Sequence, residues 1–457
     1  MQTAYLDAAG GRRKFGSFLE QGLGKTSANL NEFVDAGDVD LNVVLAPSSF
    51  IGDWPLAPTE WGIGFMKTGQ YPRDPLPFDW DCGLYAFAHE TLRGSANARR
   101  ALMELLKKRR CLLTFDEATG IKNPSSLLAR FMVTEASREA TMVRLLDGTP
   151  MVQNVMDYYP KLRCLGELNG VNPLAFRNRY ANTGGFMGKQ IVGINSHREQ
   201  ELVEILNKCS FRALKKDWRK DMPDQVQHPI HLEMTNNQRK HYQTMMEDFC
   251  AILDSGEEID AELVLTQRMK FQQISSCMLM RDGAAFWIEK PENNPKLKAI
   301  FDFIEIGRGK SIIVYTFGPS GHMLIDEMSK KGLNPAWITG GMDSTDLLRQ
   351  KERFNNDSSC RVIVAQQDQG SRGHTLLGQP GNDRCNKTFY YENSLSLMHR
   401  LQMNDRNHRG AQDETCYLID FICCPIDQIN TDILTRKKSY ADGMDALIKL
   451  VKSKQAT

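Results

Sequence analysis

Phe15-Gly16-Ser17-Phe18-Leu19-Glu20-Gln21-Gly22-Leu23-Gly24-Lys25-Thr26 is the most telling segment of the chain. Phe15, Phe18 and Leu19 read as a short buried strand, the glycines mark a turn, and a helix-like segment runs from Ser27 to a stop at Gly37. Strand, glycine-bearing turn, Lys-Thr and helix form the layout of a phosphate-binding loop. There, backbone N–H groups freed by glycine and aimed by the helix start surround nucleotide phosphates. Lys25 then reaches the β/γ oxygens and the Thr26 hydroxyl ligates Mg2+. Leu19 stands where the full GxxxxGK[ST] pattern has glycine, so the reading depends on the motifs around the loop.

Gln2 lies just upstream, either an adenine-contacting glutamine or a solvated terminal residue. Val43-Val44-Leu45-Ala46-Pro47-Ser48-Ser49 reads as a parallel strand opening into a polar turn, with Trp54 beyond it. Ligands of open α/β sheets gather at such strand ends. Leu84–Ala88 followed by His89-Glu90-Thr91-Leu92-Arg93 is a second unit of this kind. The segment from Arg99 to Arg110 is helical in pattern, and its basic end, Lys107-Lys108-Arg109-Arg110, suits a helix C-terminus better than a DNA-contact patch. Cys111 to Phe115 is an apolar strand running into Asp116-Glu117-Ala118-Thr119. Asp116 is placed to hold Mg2+ through its water shell, and Glu117 to orient or deprotonate the attacking water. Arg144-Leu145-Leu146 leads into Asp147-Gly148-Thr149-Pro150, where a hydroxyl can sense the state of the nucleotide.

The chain's 457 residues predict two or three domains, and 41% hydrophobic with 25% charged residues is an ordinary globular composition. No apolar run has membrane-spanning length and the N-terminus lacks a signal-peptide pattern, so a cytoplasmic location is expected, the host cytoplasm if the protein is viral. Eleven cysteines without a CxxC pair predict reduced structural thiols. A net charge of +1 means that any polyanion is bound by a local basic surface.

Residues 155–292 carry the least strand-like sequence, with helical apolar spacing over Met234–Leu253 and Glu262–Met280. Arg177/Arg179 and Lys215/Lys216/Arg219/Lys220 there line either a duplex track or a solvated helix face. His228 and His231 lack further ligands for a metal. From Asn293 a new α/β alternation begins, with strands at Ile312–Tyr315, Ala336–Thr339, Val362–Ala365, Thr388–Tyr391 and Cys416–Ile419, and predicts a second parallel-sheet lobe. It carries Arg406 and Arg409, three apart and so on one face if helical. Such arginines can stabilise the charge on a transferring phosphoryl group from an opposite lobe. The basic tail from Arg436 to Lys454 ends in an amphipathic helical pattern, with Met444, Leu447, Ile448 and Val451 on one face.

The series GLGKT (22–26), APSS (46–49) with Trp54, HETLR (89–93), DEAT (116–119) and DGTP (147–150) resembles superfamily-two helicases, and more narrowly the Swi/Snf-type DNA translocases. DEATGIKNP (116–124), FRALKKDWRKDMP (211–223), TNNQRKHY (235–242), QGSRGHTL (369–376) and QMNDRNHRGAQ (402–412) are similar to further stretches of that family. Leu19 stands where the family usually has Asp, Asp147 replaces its usual Thr or Ser, and Thr375 stands where Asn is usual.

The resemblance implies two RecA-like parallel-sheet lobes in tandem with helical insertions: a first ATP-binding lobe over 1–228 with an insertion at about 155–210, a helical protrusion or linker over 229–292, and a second lobe over 293–457. It implies ATP and Mg2+ at Gln2, Gly22, Leu23, Gly24, Lys25, Thr26, Asp116, Gly373 and Gln402, with Lys25, Glu117, Arg406 and Arg409 catalytic. It implies nucleic-acid contacts at Pro47, Ser48, His89, Thr91, Thr149, Thr316, His374 and Thr375.

The expected function is an ATP-dependent translocase or helicase. It moves along duplex or branched DNA without sequence specificity and remodels forks, junctions or bound proteins in replication, recombination or repair, as the compact bacteriophage members do. A strand-separating helicase and an ATP-gated motor subunit of a larger complex with unidentified protein partners are the alternatives. No membrane partner is expected.

Overall fold

The computed structural model describes residues 1–48, 50–148, 151, 154–184, 190–254, 261–371 and 375–435. The chain divides into two units, Met1–Asp221 and Met222–Thr457.

In the first unit the strands are β1 (Lys14–Leu19), β2 (Leu41–Ala46), β3 (Lys67–Gln70), β4 (Gly83–Ala88), β5 (Cys111–Phe115), β6 (Met142–Leu146), a hairpin of β7 (Ala181–Gly184) and β8 (Gln190–Ile194), and β9 (Ser210–Ala213). Seven of them form one sheet in the order β3-β4-β2-β5-β6-β1-β9, with every ladder parallel. Successive side chains alternate between two cores, as a sheet covered on both faces requires. Val43, Leu45, Phe87, Leu113 and Phe115 join one with the helix Ala96–Lys108. Val44, Leu84 and Leu112 join the other with Leu30 and Phe33 of the helix Lys25–Asp35.

In the second unit the strands are β10 (Gln225–His231), the hairpin β11 (Met278–Arg281) and β12 (Ala284–Trp287), β13 (Lys310–Tyr315), β14 (Ala336–Ile338), β15 (Val362–Gln366), β16 (Cys385–Tyr390) and β17 (Cys416–Ile422). The six-stranded sheet runs β10-β17-β16-β13-β15-β14, again parallel throughout. Both units are therefore α/β with a parallel sheet, as expected of two tandem parallel-sheet lobes. Helices Asn236–Asp254, Ala261–Ser275 and Pro425–Leu434 share a further core with Leu279 and Ile288 of the second unit.

The structure differs from expectation in three places. Residues 155–292 are not strand-poor: β7 to β12 all lie there. β10 is a largely exposed edge strand of sequence QVQHPIH, whose polarity hides it from an apolar-pattern reading. The helix expected to reach Met280 ends at Ser275, and the Asp282-Gly283 turn, with both residues at positive φ, closes the two-residue hairpin that follows it. The expected lobe boundary at 228 falls inside β10.

Residues 405–412 are not helical. The helix ends at Asn404, whose carbonyl accepts Gln225 Nε2 at 2.7 Å and whose side chain accepts the Tyr390 hydroxyl at 2.5 Å. The tail pattern over 436–454 lies outside the described residues. Among the described residues no helix is long and apolar enough to cross a membrane, and no group of three or more His, Cys, Asp or Glu could hold a metal ion.

Candidate active site

β5, β6 and β1 are neighbours in the first sheet, so the loops leaving their carboxyl ends lie side by side. After β1, Gly22 and Gly24 take left-handed backbone, with φ of 84° and 78°, and the helix Lys25–Asp35 begins at once. At φ 78° Gly24 disfavours any residue with a Cβ, and such a Cβ would also displace Gln2 Nε2, 2.5 Å away. Gln2 opens an unforeseen helix, Gln2–Ala9, and donates from Nε2 to Ser27 Oγ at 2.6 Å, while Ser27 Oγ donates to Gly24 O at 3.0 Å. Leu19 is a fully buried strand residue packed with Leu23 and Ala213. The Leu23 side chain is therefore part of the core rather than of the loop surface. Lys25 and Thr26 are half-buried, and Lys25 Nζ donates to Leu19 O at 3.2 Å.

Buried polar bonds fix the loop helix to the sheet. Asn29 Nδ2 donates to Thr114 Oγ1 of β5 at 3.0 Å, Asn42 Nδ2 of β2 donates to Asn29 Oδ1 at 2.9 Å, and Thr114 Oγ1 donates to Asn42 Oδ1 at 2.8 Å. Lower down, Glu32 meets Arg144 of β6 at 2.6 Å in a buried ion pair and accepts the Tyr5 hydroxyl at 2.8 Å. A cavity of about 250 Å3 beside this pair opens among Leu6, Arg12, Arg13 and Met142.

Asp116 follows β5, its N–H donating to Leu45 O at 2.8 Å. Its carboxylate accepts Trp54 Nε1 at 3.0 Å and the Glu117 N–H at 2.9 Å. Burial pushes its carboxyl above the ordinary carboxylate range, opposed by the Lys25 ammonium and by the Trp54 and Glu117 hydrogen bonds. Each oxygen keeps a lone pair, and with the Thr26 hydroxyl this donor set fits a hydrated Mg2+. Glu117 is half-buried and sits at φ 51°, a left-handed conformation that costs a non-glycine residue about 1–3 kcal/mol.

Asp147 follows β6 and is fully buried against Lys161 Nζ at 2.6 Å. A Cβ on Gly148 would lie 3.3 Å from Lys25 Nζ. Lys25, Asp116 and Gly148, from three separate motifs, thus converge. Trp54 appeared in the sequence only as a motif landmark, and an indole N–H cannot be assigned a partner until the fold brings one near.

The expected nucleic-acid contacts are distributed unevenly. Pro47 is half-buried and Ser48 exposed, with the Ser48 N–H donating to Glu90 Oε2 at 2.9 Å; Thr91 is half-buried. His89 lies in the core rather than at a surface, 2% exposed and stacked on Phe115 at 4.3 Å between ring centroids. Burial pushes its imidazole down to about 4. Thr149, Gly373, His374 and Ser49 lie outside the described residues.

Of the basic residues considered for a duplex track, Arg179 pairs with Glu201 at 2.8 Å, Arg219 with Asp221 at 2.9 Å, and Lys215 is buried. Arg109 belongs to the scaffold: it pairs with Asp40 at 3.0 Å and donates to carbonyls of Pro77, Phe78 and Trp80.

In the second unit Arg409 Nη1 donates to Thr375 Oγ1 at 3.0 Å, and its Nε to Asp405 O at 3.2 Å. Arg406 is 1% exposed, its Nε donating to the carbonyl of half-buried Gln402 at 2.7 Å. Arg400 precedes them in a buried bidentate pair with Asp420, at 2.6 and 2.7 Å. Thr316 is half-buried after β13, and its N–H and that of Phe317 each donate to Glu392 Oε2 at 2.8 Å, while Ser320 Oγ donates to Glu392 Oε1 at 2.5 Å. Glu392 was not foreseen, because a carboxylate inside an apolar strand end gives no signal without its donors.

Residues 88–279 match the SNF2-related domain family model. A probable chromatin-remodeling complex ATPase chain of rice (Oryza sativa subsp. japonica) is 25% identical over 94% of this chain and 38% of its own length. The nuclear protein STH1/NPS1 of Saccharomyces cerevisiae is 25% identical over 52% of this chain and 18% of its own. The chain thus spans about two-fifths or less of the length of these relatives. Among solved structures, the Sulfolobus solfataricus SWI2/SNF2 ATPase core in complex with dsDNA aligns over 97% of this chain and 92% of its own, at 19% identity and a TM-score of 0.41.

Proposed function

We propose that this chain, which carries an SNF2-related domain across residues 88–279, is an ATP-driven translocase on duplex or branched DNA. The observation that carries the reading is the convergence of Lys25, Asp116 and Gly148 at the carboxyl ends of three adjacent parallel strands. A triphosphate is the substrate that uses a left-handed glycine turn, a helix start and a lysine together. Backbone N–H groups of the turn and Lys25 hold the phosphates, Gln2 lies beside them for the base, and Thr26 and Asp116 hold Mg2+. The metal, when bound, neutralises charge developing on the phosphate oxygens. Glu117 orients the attacking water and accepts its proton. Arg409 is the cation proposed to offset charge on the transferring phosphoryl group, and its hydrogen bond to Thr375 ties it to a residue proposed for DNA contact.

Contacts to the backbone of DNA imply weak sequence preference and strong salt dependence. Remodelling of forks, junctions or bound proteins is the work proposed for the movement. A second reading, an ATP-gated DNA-binding subunit of a larger assembly, is favoured by the rice relative's name as a complex ATPase chain. ATP hydrolysis titrated with single-stranded, duplex and branched DNA and with RNA tests both. Duplex-stimulated turnover by the chain alone supports the translocase; no turnover under any of them removes it in favour of the subunit.

A further inference from the structure

Trp54 is a core residue with one polar group to satisfy. It is 2% exposed on the helix Asp53–Glu60, and its side chain packs in the core that holds Val44, Ala46, Leu84 and Leu112. Its Nε1–H donates to Asp116 Oδ2 at 3.0 Å, joining positions 62 apart in the sequence. An indole N–H buried this deeply needs an acceptor, which on its own would make the bond a matter of folding alone.

The bond also constrains its acceptor. The Asp116 carboxylate takes one hydrogen bond on each oxygen, from the Glu117 N–H to Oδ1 at 2.9 Å and from Trp54 to Oδ2. Its backbone N–H is tied to Leu45 O at 2.8 Å. The Glu117 donor belongs to the next residue, and with it alone the carboxylate can still pivot about the line from Oδ1 to that nitrogen. A second donor, on a ring locked in the core, removes the pivot. The remaining lone pairs then face one fixed direction. Mg2+ demands near-octahedral geometry, so a carboxylate that receives it or its water shell gains from being held in this way.

We propose that Trp54 is a positioning residue for Mg2+ at the nucleotide site: its indole N–H sets the orientation of the Asp116 carboxylate. The proposal rests on the nucleotide reading of the loop and deepens it, adding a residue that supports the metal without touching it.

The test is binding of a fluorescent N-methylanthraniloyl ADP to the full chain, in EDTA and across a Mg2+ titration, with thermal melting run alongside. Trp54→Phe keeps an aromatic ring and lacks the N–H. It is expected to leave metal-free affinity at the parental value and to raise the Mg2+ midpoint about tenfold or more. Asp116→Asn is expected to remove the response to Mg2+. An unchanged midpoint in Trp54→Phe overturns the proposal. So does an equal loss of affinity with and without Mg2+, the mark of a residue that only packs. If Trp54→Phe melts well below the parent, benzothienylalanine at position 54 decides, because it keeps the two-ring shape and exchanges the N–H for sulfur. A raised midpoint there supports the proposal, and any other result overturns it. A parent chain whose ADP binding ignores Mg2+ would strike the metal reading of Thr26 and Asp116, and one that binds no ADP would strike the nucleotide site; the proposal falls with either.

Discussion

Lys25 is central to the proposed phosphate site, held between a strand-end carbonyl, the glycine after Asp147 and the field of Asp116. Lys25→Ala is expected to abolish ATP turnover with the far-ultraviolet spectrum unchanged; undiminished turnover would remove the phosphate site. Arg409→Ala should lower turnover by roughly a thousandfold while nucleotide affinity changes little, and a pure binding defect would contradict its proposed role. His89 carries a different expectation. Its folded-state value of about 4 lies below the ordinary 6.5, so the unfolded chain takes up the proton first as pH falls. That stability is complete above pH 6.5 and is lost between 6.5 and 4, to a limit of about 3 kcal/mol. His89→Phe, which keeps a ring on Phe115, should flatten the pH dependence of urea unfolding across that window.

Among elements, the helix Lys25–Asp35 is the best anchored, tied to β2 and β5 through Asn29 and to β6 through Glu32. Arg144→Met strands the Glu32 carboxylate in the interior, and denaturant unfolding should show a loss of about 3–5 kcal/mol in the first unit. Apolar strands ending in polar turns made β1, β2, β4, β5 and β6 legible, because both faces of the sheet are covered and the runs are continuous. The same logic located β13 to β17. β10 escaped because its exposed edge tolerates histidine, glutamine and proline. The arginine segment escaped for another reason: Gln225 and Tyr390, which divert Asn404 from helical bonding, are 179 and 14 residues away in sequence. Lys25, Asp116 and Arg409 were recognisable by residue type at fixed offsets. Trp54, Lys161 and Glu392 act through partners that only folding supplies.

At the scale of the molecule, the division at Asp221/Met222 leads us to expect two unfolding transitions. Arg144→Met should lower one and leave the other in place, as read by hydrogen exchange over each unit. If DNA is gripped through phosphates, the apparent DNA affinity measured from stimulated ATPase should fall linearly with salt on logarithmic axes, and a flat line would argue against that grip. The second unit has a further property. Its first strand, β10, lies beside its last, β17, in register over all seven residues from Gln225–Cys416 to His231–Ile422. A module that opens and shuts along one seam can be cut out or transplanted at that seam with its inner connections untouched. Conversely, removing the leading strand strips the trailing one of its neighbour, so shortening the unit from its front should expose backbone at its back.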